Sequence, residues 1–571
     1  MIQELVEFGK RVTKGKNMAL KEEPFAIDLV INEDGEFQGF VHSERRTIET
    51  EVITAKKGKA RFLLDKCEEV LGVGDGDVGK KHQWFMEKLN LYKEVPALGP
   101  IFKFYDEKNE DGLKKAITGF VELEKSDKKI KGENITFMVG TTRFLDMPEV
   151  RESIIKHFQD EEQKVSNGKI CSVCGTANSP VLDEPHGLVK MPKGQTAGSA
   201  LVSFNETAFE SYGLKGNLNS SICRECARCY IEGLRFLLSD GRTVEENKKE
   251  KQKAHYHYNH RINISDSTVA LFWTRLETEG FDPFVVYDTP DVKEIKNLFD
   301  SVWNGKQSLG SVVDTNMFYS CTLSSAAARI AVRDWTAISL DDYKRNLVDW
   351  FKDIEIIDGG ELTYSPLRLL IGATQRDKKP GEKPKADLNS KTRMGTILWN
   401  AAIKGHSYKI PLEVLQCVLN RIWKKDYFSK ERAALIKLII NRNTNKNMKS
   451  TLDETNTSVA YLCGRLFAVI ESMQWKAMGN VNSGVKDRFF TAAASQPANI
   501  FGTLLTKNVP IYQHKIKGYL AKELNDMAGK ISEKGSLPLR FTAIEQGEFA
   551  LGYYFQRNHK NDNNIIDNIN L

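Results

Sequence analysis

Two cysteine pairs carry the clearest chemical signal in the sequence. Cys171-Ser-Val-Cys174 and Cys223-Arg-Glu-Cys226 are both C-x-x-C motifs. Four thiolates arranged in two such pairs are a ligand set of tetrahedral structural zinc sites. We therefore predict a structural zinc ion bound by these four cysteines, with four free thiols as the alternative. Cys229 lies three residues further along and could replace one of the ligands.

The spacing of the pairs predicts the elements that hold them. The 48 residues between Cys174 and Cys223 exceed the roughly 15–20 of ribbon-type zinc sites, so a small subdomain is expected between the pairs. Gly175 predicts a knuckle turn after the first pair. The second pair opens an amphipathic helix, because apolar residues follow at helical spacing. The lone cysteines, predicted to be small core residues, are Cys67, Cys321, Cys417 and Cys463.

Lysine and amide side chains on glycine-rich loops between the pairs are candidates for binding DNA. Lysine supplies phosphate contacts, and Asn and Gln can pair with base edges. The predicted residues are Lys190, Lys193, Gln195, Asn205, Lys215, Asn217 and Asn219. A rival basic loop contains Lys56, Lys57 and Lys59, and Arg465, Lys486 and Arg488 are candidates for tracking a displaced strand. The alternatives are a polar surface loop and a solvated basic face.

A search for catalytic motifs predicts no enzyme. Gly74 to Lys80 has the spacing G-x-x-x-x-G-K, but Lys81 stands where a phosphate-binding loop needs Ser or Thr, so we predict a glycine-rich turn. His255, His257 and His260 leave three interpretations open: a polar strand or loop, a stacking surface for nucleic acid, or a catalytic metal site. The last would make the chain a zinc-supported, metal-dependent nuclease, which is the alternative function.

Composition bounds the class of protein. The 571 residues are 41% hydrophobic and 28% charged, which is typical of a globular chain of about three or four domains and excludes disorder over the whole length. We expect no membrane-spanning helix and no secretory signal. Nine cysteines without such a signal favour a reducing compartment, the cytoplasm. A net charge of +6 permits nucleic-acid binding without requiring it.

The pattern of elements predicts an α+β fold. We expect an N-terminal α/β domain over 1–165, a zinc-containing subdomain over 166–240, a central mixed domain over 241–393 that ends in a basic linker, and a C-terminal helical bundle over 394–571. Strands are predicted near residues 39–42, 116–122, 135–140, 261–265 and 267–273, and helices over 149–163, 324–335 and 340–357. Beyond the linker the pattern is almost wholly helical to about Arg557.

Motifs along almost the whole chain resemble one family. They are Phe62-Leu-Leu-Asp65, Gly198-Ser-Ala-Leu-Val-Ser-Phe-Asn-Glu-Thr-Ala-Phe-Glu-Ser-Tyr-Gly213, Ile264–Trp273, Leu323–Trp335, Ala460–Val469, Lys486–Phe490 and Glu545–Tyr554. In this order they resemble the large subunit of the type I-C CRISPR surveillance complex (Cascade). The second cysteine pair departs from the family's pattern, so the resemblance is to a zinc-containing variant.

The resemblance implies a role without catalysis. Such a subunit recognises the short motif that flanks the target (the PAM), helps to open the double-stranded DNA and stabilises the R-loop, while guide RNA reads the target by pairing. The implied partners are the guide RNA, target DNA, the backbone and guide-handle-binding subunits, a small subunit and a separately recruited helicase-nuclease. The C-terminal region resembles the small subunit, which predicts a second product of 124 residues starting at Met448.

Overall fold

The computed structural model describes residues 1–52, 60–74, 76–126, 130–164, 169–177, 186–204, 206–244, 255–277, 287, 290–293, 295–297, 316–377, 388–424, 427–516 and 518–559. These residues form two compact units. The first contains Met1–Lys190 and Thr196–Phe236, and the second contains Met191–Gln195 and Leu237–Leu571. The fold is α+β with a helical C-terminal region, which confirms the predicted class.

The first unit is built around a five-stranded sheet. Its strands are β1 (Leu20–Ile31), β2 (Phe37–Glu51), β3 (Leu64–Lys66), β4 (Asn134–Val139) and β5 (Thr142–Arg143). The order is β2-β1-β4-β3, with β5 paired to β4. Strands β1 and β2 form an antiparallel hairpin, whereas β1 and β4 run parallel.

The helices that lie wholly or mostly in this unit are α1 (Ile2–Val12), α2 (Cys67–Leu71), α3 (Val78–Asn90), α4 (Gly99–Phe104), α5 (Leu113–Ser126), α6 (Pro148–Lys164) and α7 (Arg224–Ser239). Side chains of α2 to α6 pack into the core of the sheet. Helix α1 crosses α7 with their backbones in close approach, because a Cβ added at Gly9 would overlap the carbonyl oxygen of Cys229. The segment that carries the second cysteine pair is thereby fixed to the start of the chain.

The second unit contains a four-stranded antiparallel sheet and two short ribbons. The sheet has the order β11-β10-β9-β8, from β8 (Arg261–Asn263), β9 (Thr268–Thr274), β10 (Met317–Ala326) and β11 (Arg329–Ser339). The ribbons pair β6 (Gly241–Val244) with β7 (His255–Tyr258), and β12 (Ile356–Asp358) with β13 (Glu361–Thr363).

Helices dominate the rest of the second unit. They are α8 (Leu340–Ile354), α9 (Leu367–Ala373), α10 (Leu388–Lys404), α11 (Leu412–Trp423), α12 (Lys430–Asn443), α13 (Val459–Met478), α14 (Val485–Ser495), α15 (Pro497–Thr503), α16 (Val509–Gln513), α17 (Tyr519–Glu533) and α18 (Ala543–Asn558). One hydrophobic core runs from Ile262 on the sheet to Phe555 on α18. Eleven consecutive residues of α12, Arg432–Arg442, are buried.

Two of the predicted elements are wrong in type. Residues 116–122, predicted as a strand, lie in helix α5, where Ala116 and Phe120 face the core one turn apart. Residues 324–335, predicted as a helix, form the β10–β11 hairpin, which turns at Ala327 with φ of 51°. The alanines favour a helix locally, but pairing of β10 with β9 and β11 satisfies the backbone in the sheet. The other predicted strands and helices are confirmed, with shifted ends.

Candidate functional site

The four predicted zinc ligands lie together. The Sγ atoms of Cys171, Cys174, Cys223 and Cys226 are all within 4.8 Å of one another. Tetrahedral Zn–S bonds of about 2.3 Å place sulfur atoms ~3.8 Å apart, and the Cys174–Cys223 Sγ distance is 3.9 Å. Three of the thiols are buried, and Cys174 is exposed. The donor set and its spacing therefore fit a tetrahedral metal ion bound by sulfur.

Backbone amides shape both halves of this cluster. In the first half the N–H of Val173 donates to Cys171 Sγ over 3.4 Å, and Gly175 turns the chain with φ of 74°. In the second half the N–H groups of Cys223 and Cys226 donate to the sulfurs of Cys171 and Cys223 over 3.3 and 3.4 Å. Amide donors stabilise negative charge on sulfur, as a thiolate ligand requires.

Electrostatics inside the cluster favour a bound cation. Burial raises the pKa of Cys223 to about 11 and raises the pKa of Cys226 well above its ordinary value. Burial opposes ionisation of Cys174 too, but hydrogen bonds with Thr176 lower its pKa to about 6. Four thiolates this close repel one another, and a divalent ion bound between them would supply the charge that stabilises them together.

Cys229 is not part of the cluster. It lies one turn further along α7, where its carbonyl packs against Gly9, and its buried thiol is outside the four-sulfur group. Of the lone cysteines, Cys67, Cys321 and Cys463 are buried as predicted, whereas Cys417 is half-buried.

The first predicted DNA-binding loop lies between two residues whose backbones pair. Val189 and Ser199 bridge, with 2.9 Å hydrogen bonds in both directions, and close the loop that carries Lys190, Lys193 and Gln195. All three side chains are exposed. Within the second unit, the hydroxyl of Ser325 donates to the carbonyl of Pro192 over 3.0 Å, so the Met191–Gln195 segment is anchored to β10.

The second predicted loop is held by its own asparagine. The Asn219 amide oxygen accepts from the N–H of Ser211 over 3.0 Å, and its amide nitrogen donates to the carbonyls of Leu214 and Gly216 over 2.8 and 3.0 Å. These bonds use the polar atoms that a base-reading side chain needs, so Asn219 supports the loop instead. Lys215 is exposed beside it.

Some of the predicted DNA-binding residues lie outside the described part of the chain. Lys56, Lys57, Lys59 and Asn205 lie outside the described residues. Asn217 belongs to the 3-10 turn Gly216–Asn219, but its side chain is outside the described part of the chain.

The three C-terminal candidates occupy different environments. Arg465 is 2% exposed and donates through Nε to Gln556 over 2.8 Å, so it belongs to the core and we leave it out of the proposed DNA surface. Lys486 is half-buried over the ring of Tyr553, where burial lowers its pKa. Arg488 is exposed on the same helix, α14.

The described histidines do not assemble a catalytic metal site. His257 is buried in the β6–β7 ribbon, and His260 Nδ1 lies 3.2 Å from the carbonyl of Phe272. The side chain of His255 is outside the described residues. Among the side chains that are described, the four cysteines are the one group of three or more ligand residues suited to a metal.

One exposed residue was missed by the sequence reasoning. Tyr212 is 99% exposed and has a positive φ of 53°, next to Gly213 at φ of 71°. Glycine is a turn signal, and Gly213 directly follows Tyr212 at the end of the quoted family motif.

The fold and the cluster together define an α+β protein with a thiolate site of the structural-metal type. The chain belongs to the CRISPR-associated protein family Cas_Csd1, whose sequence profile matches residues 5–560. None of the curated proteins matches the chain. No helix in the described part of the chain combines the length and apolar character needed to cross a membrane.

Proposed function

We propose that this chain is the large subunit of a type I-C RNA-guided surveillance complex that acts in the cytoplasm. The observation that carries the proposal is the family match over residues 5–560. In this role it recognises the PAM, binds target duplex DNA and stabilises the R-loop. Guide RNA reads the target sequence by pairing. A separate helicase-nuclease cuts the DNA, so the chain itself is not an enzyme, and its thiolate cluster holds zinc for structural support.

Exposed residues on the two loops support a DNA contact. Lys190, Lys193, Gln195 and Lys215 all present their side chains to solvent. Lysines supply phosphate contacts that do not depend on sequence, and an amide can read a base edge. We therefore assign Lys193 to contacts with the DNA phosphate backbone and Gln195 to recognition of the PAM bases. Further phosphate contacts are assigned to Lys190, Lys215 and Arg488.

The proposal is tested by co-purifying the chain with guide RNA and its companion subunits, then binding a library of duplexes that vary in the flanking motif. We expect a stable complex that prefers a subset of motifs and leaves the DNA uncut. Absence of co-purifying RNA, or cleavage by the purified complex without an added nuclease, would contradict the proposal.

Lys193 and Gln195 provide a matched pair of variants on one segment. Lys193→Ala should weaken binding to every motif and flatten the slope of log K against log salt by about 0.9 for each phosphate that is no longer neutralised. Gln195→Ala should reduce discrimination between motifs by about 1–3 kcal/mol. Lys93→Ala is the control, because it removes the same charge from an exposed lysine after α3. It should leave the preference among PAM sequences intact. Equal motif preference in Gln195→Ala and wild type would place the reading residue elsewhere.

A further inference from the structure

Tyr212 occupies a backbone conformation that its side chain disfavours. The N–H of Leu214 donates to the carbonyl of Ser211 over 2.9 Å, which closes a four-residue turn. Both central residues have positive φ, 53° at Tyr212 and 71° at Gly213, which defines a type I′ turn. Such turns favour Asn or Gly at the first central position, whereas a bulky aromatic residue there is a steric outlier.

The cost of this conformation is not offset by packing. The Tyr212 side chain is 99% exposed, so the ring gains almost no burial from the protein. The turn is nevertheless fixed, because the Asn219 side chain accepts a hydrogen bond from the N–H of Ser211 and donates to the carbonyls of Leu214 and Gly216. A strained and exposed aromatic residue on a braced turn is a feature expected at a contact site.

The charges around the turn favour the ring as the contacting group. Glu206 and Glu210 are exposed on the preceding segment, and Lys215 is exposed after the turn. This mixture does not form a cradle for a phosphate. An aromatic face, in contrast, can stack on any nucleobase, because every base has a π-face.

We propose that Tyr212 stacks on an unpaired base of the target DNA once the duplex has opened beside the motif. This inference rests on the proposed function and adds a specific contact to it. The ring needs an accessible base face, which a paired and stacked base inside a duplex does not offer. The contact therefore stabilises the opened state and leaves the choice of motif to other residues.

The test separates stacking from folding with two variants. Tyr212→Asn places a residue that the turn prefers, so its unfolding temperature should equal or exceed that of wild type. In the assembled complex it should weaken binding to duplex targets by about 5- to 150-fold, the range expected when one base–aromatic stack is removed. Tyr212→Phe keeps the ring and should bind within about twofold of wild type. Tyr427→Asn, at another exposed tyrosine, is the control.

Cross-linking gives a direct readout. Iododeoxyuridine placed at each position beside the motif should cross-link to Tyr212 under long-wave ultraviolet light, as mapped by mass spectrometry. Unchanged binding by Tyr212→Asn, with no cross-link, would overturn this inference while the proposed function stands. Failure of Tyr212→Asn to assemble with the companion subunits would also overturn it, since the ring would then contact protein. A wild-type complex that binds no duplex would overturn the proposed function as well.

Discussion

Asn219 shows that the type of a residue does not by itself determine its role in the fold. Its amide is suited to reading a base, yet three hydrogen bonds commit it to its own loop. Tyr212, on the turn that those bonds support, is 99% exposed. Arg465 makes the same point for charge, because its guanidinium lies in the core against Gln556 instead of on the surface.

Replacing one of the four clustered cysteines tests the proposed zinc site. Cys226→Ser should lower zinc from about one ion per chain to near zero, because three thiolates alone hold a structural ion poorly. Cys229→Ala, one turn along the same helix, should retain the ion, since its thiol lies outside the cluster. Metal analysis of both purified variants makes the measurement. Equal zinc in Cys226→Ser and wild type would rule out this ligand set.

His186 predicts a loss of stability in mild acid. It is buried beside the Tyr230 hydroxyl, with Nδ1 at 2.8 Å, and burial lowers its pKa from 6.5 to about 4. The unfolded chain takes up this proton near pH 6.5, whereas the folded chain resists it until about pH 4. The free energy of unfolding should therefore fall by up to about 3 kcal/mol as the pH drops through this window.

His186→Gln removes the imidazole that titrates and keeps a side chain that can hydrogen-bond to Tyr230. Denaturant unfolding at several pH values between 4 and 6.5 should show a shallower dependence for the variant than for wild type. Parallel curves for the two proteins would show that His186 does not carry this effect.

At the scale of secondary-structure elements, the close packing of helices α13 and α18 contributes to stability. Helices α13 and α18 approach backbone to backbone at two glycines, because a Cβ at Gly464 would overlap the carbonyl of Phe549 and one at Gly552 would overlap the carbonyl of Tyr461. These close approaches let the long apolar faces of the two helices meet in the core. The sequence pattern of apolar residues reveals these faces, but not the distance between them.

Gly464→Ala tests this packing. The added methyl group should force the two helices apart and lower the free energy of unfolding by about 1–3 kcal/mol. Gly529→Ala lies in helix α17 with nothing within 4 Å of the added carbon, so it should be neutral or stabilise by about 0.5–1 kcal/mol. Chemical denaturation compares the two variants. A similar effect at both glycines would contradict the close approach.

At the scale of the whole chain, a product starting at Met448 would lack part of its core. Helix α12 ends before this residue, and its Ile436 and Ile440 lie where a side chain at Gly547 of α18 would touch them. Lys446, which pairs with the fully buried Glu548, would also be missing. The isolated 448–571 segment should therefore expose an apolar face and unfold more readily than the full chain.

Met448→Leu tests whether the second product is made. The substitution conserves the volume of a residue that is 4% exposed, so it should cost the full chain less than about 1.5 kcal/mol. With a leucine codon that does not start translation, the 124-residue product should disappear while the full chain persists. Immunoblotting against a C-terminal tag measures both. A short band that remains would contradict the internal start.

The sequence by itself determined those features that depend on local patterns of residues. Two C-x-x-C motifs predicted the four cysteines that cluster, because such spacing places both sulfurs of a pair on one turn, and helical periodicity located the C-terminal helices. The order of motifs indicated the family.

Only the tertiary structure decided which polar side chains remain free and which local preferences prevail. The alanine-rich run at 326–328 is a hairpin turn because its flanking strands β10 and β11 pair with each other, and β10 also pairs with β9, which is distant in sequence. Hydrogen-bond partners that no local pattern identifies hold Asn219 to its own loop and Arg465 in the core. The physical reason is the same in each case: the hydrogen bonds and the burial of the folded chain outweigh the preferences of a single residue and its immediate neighbours.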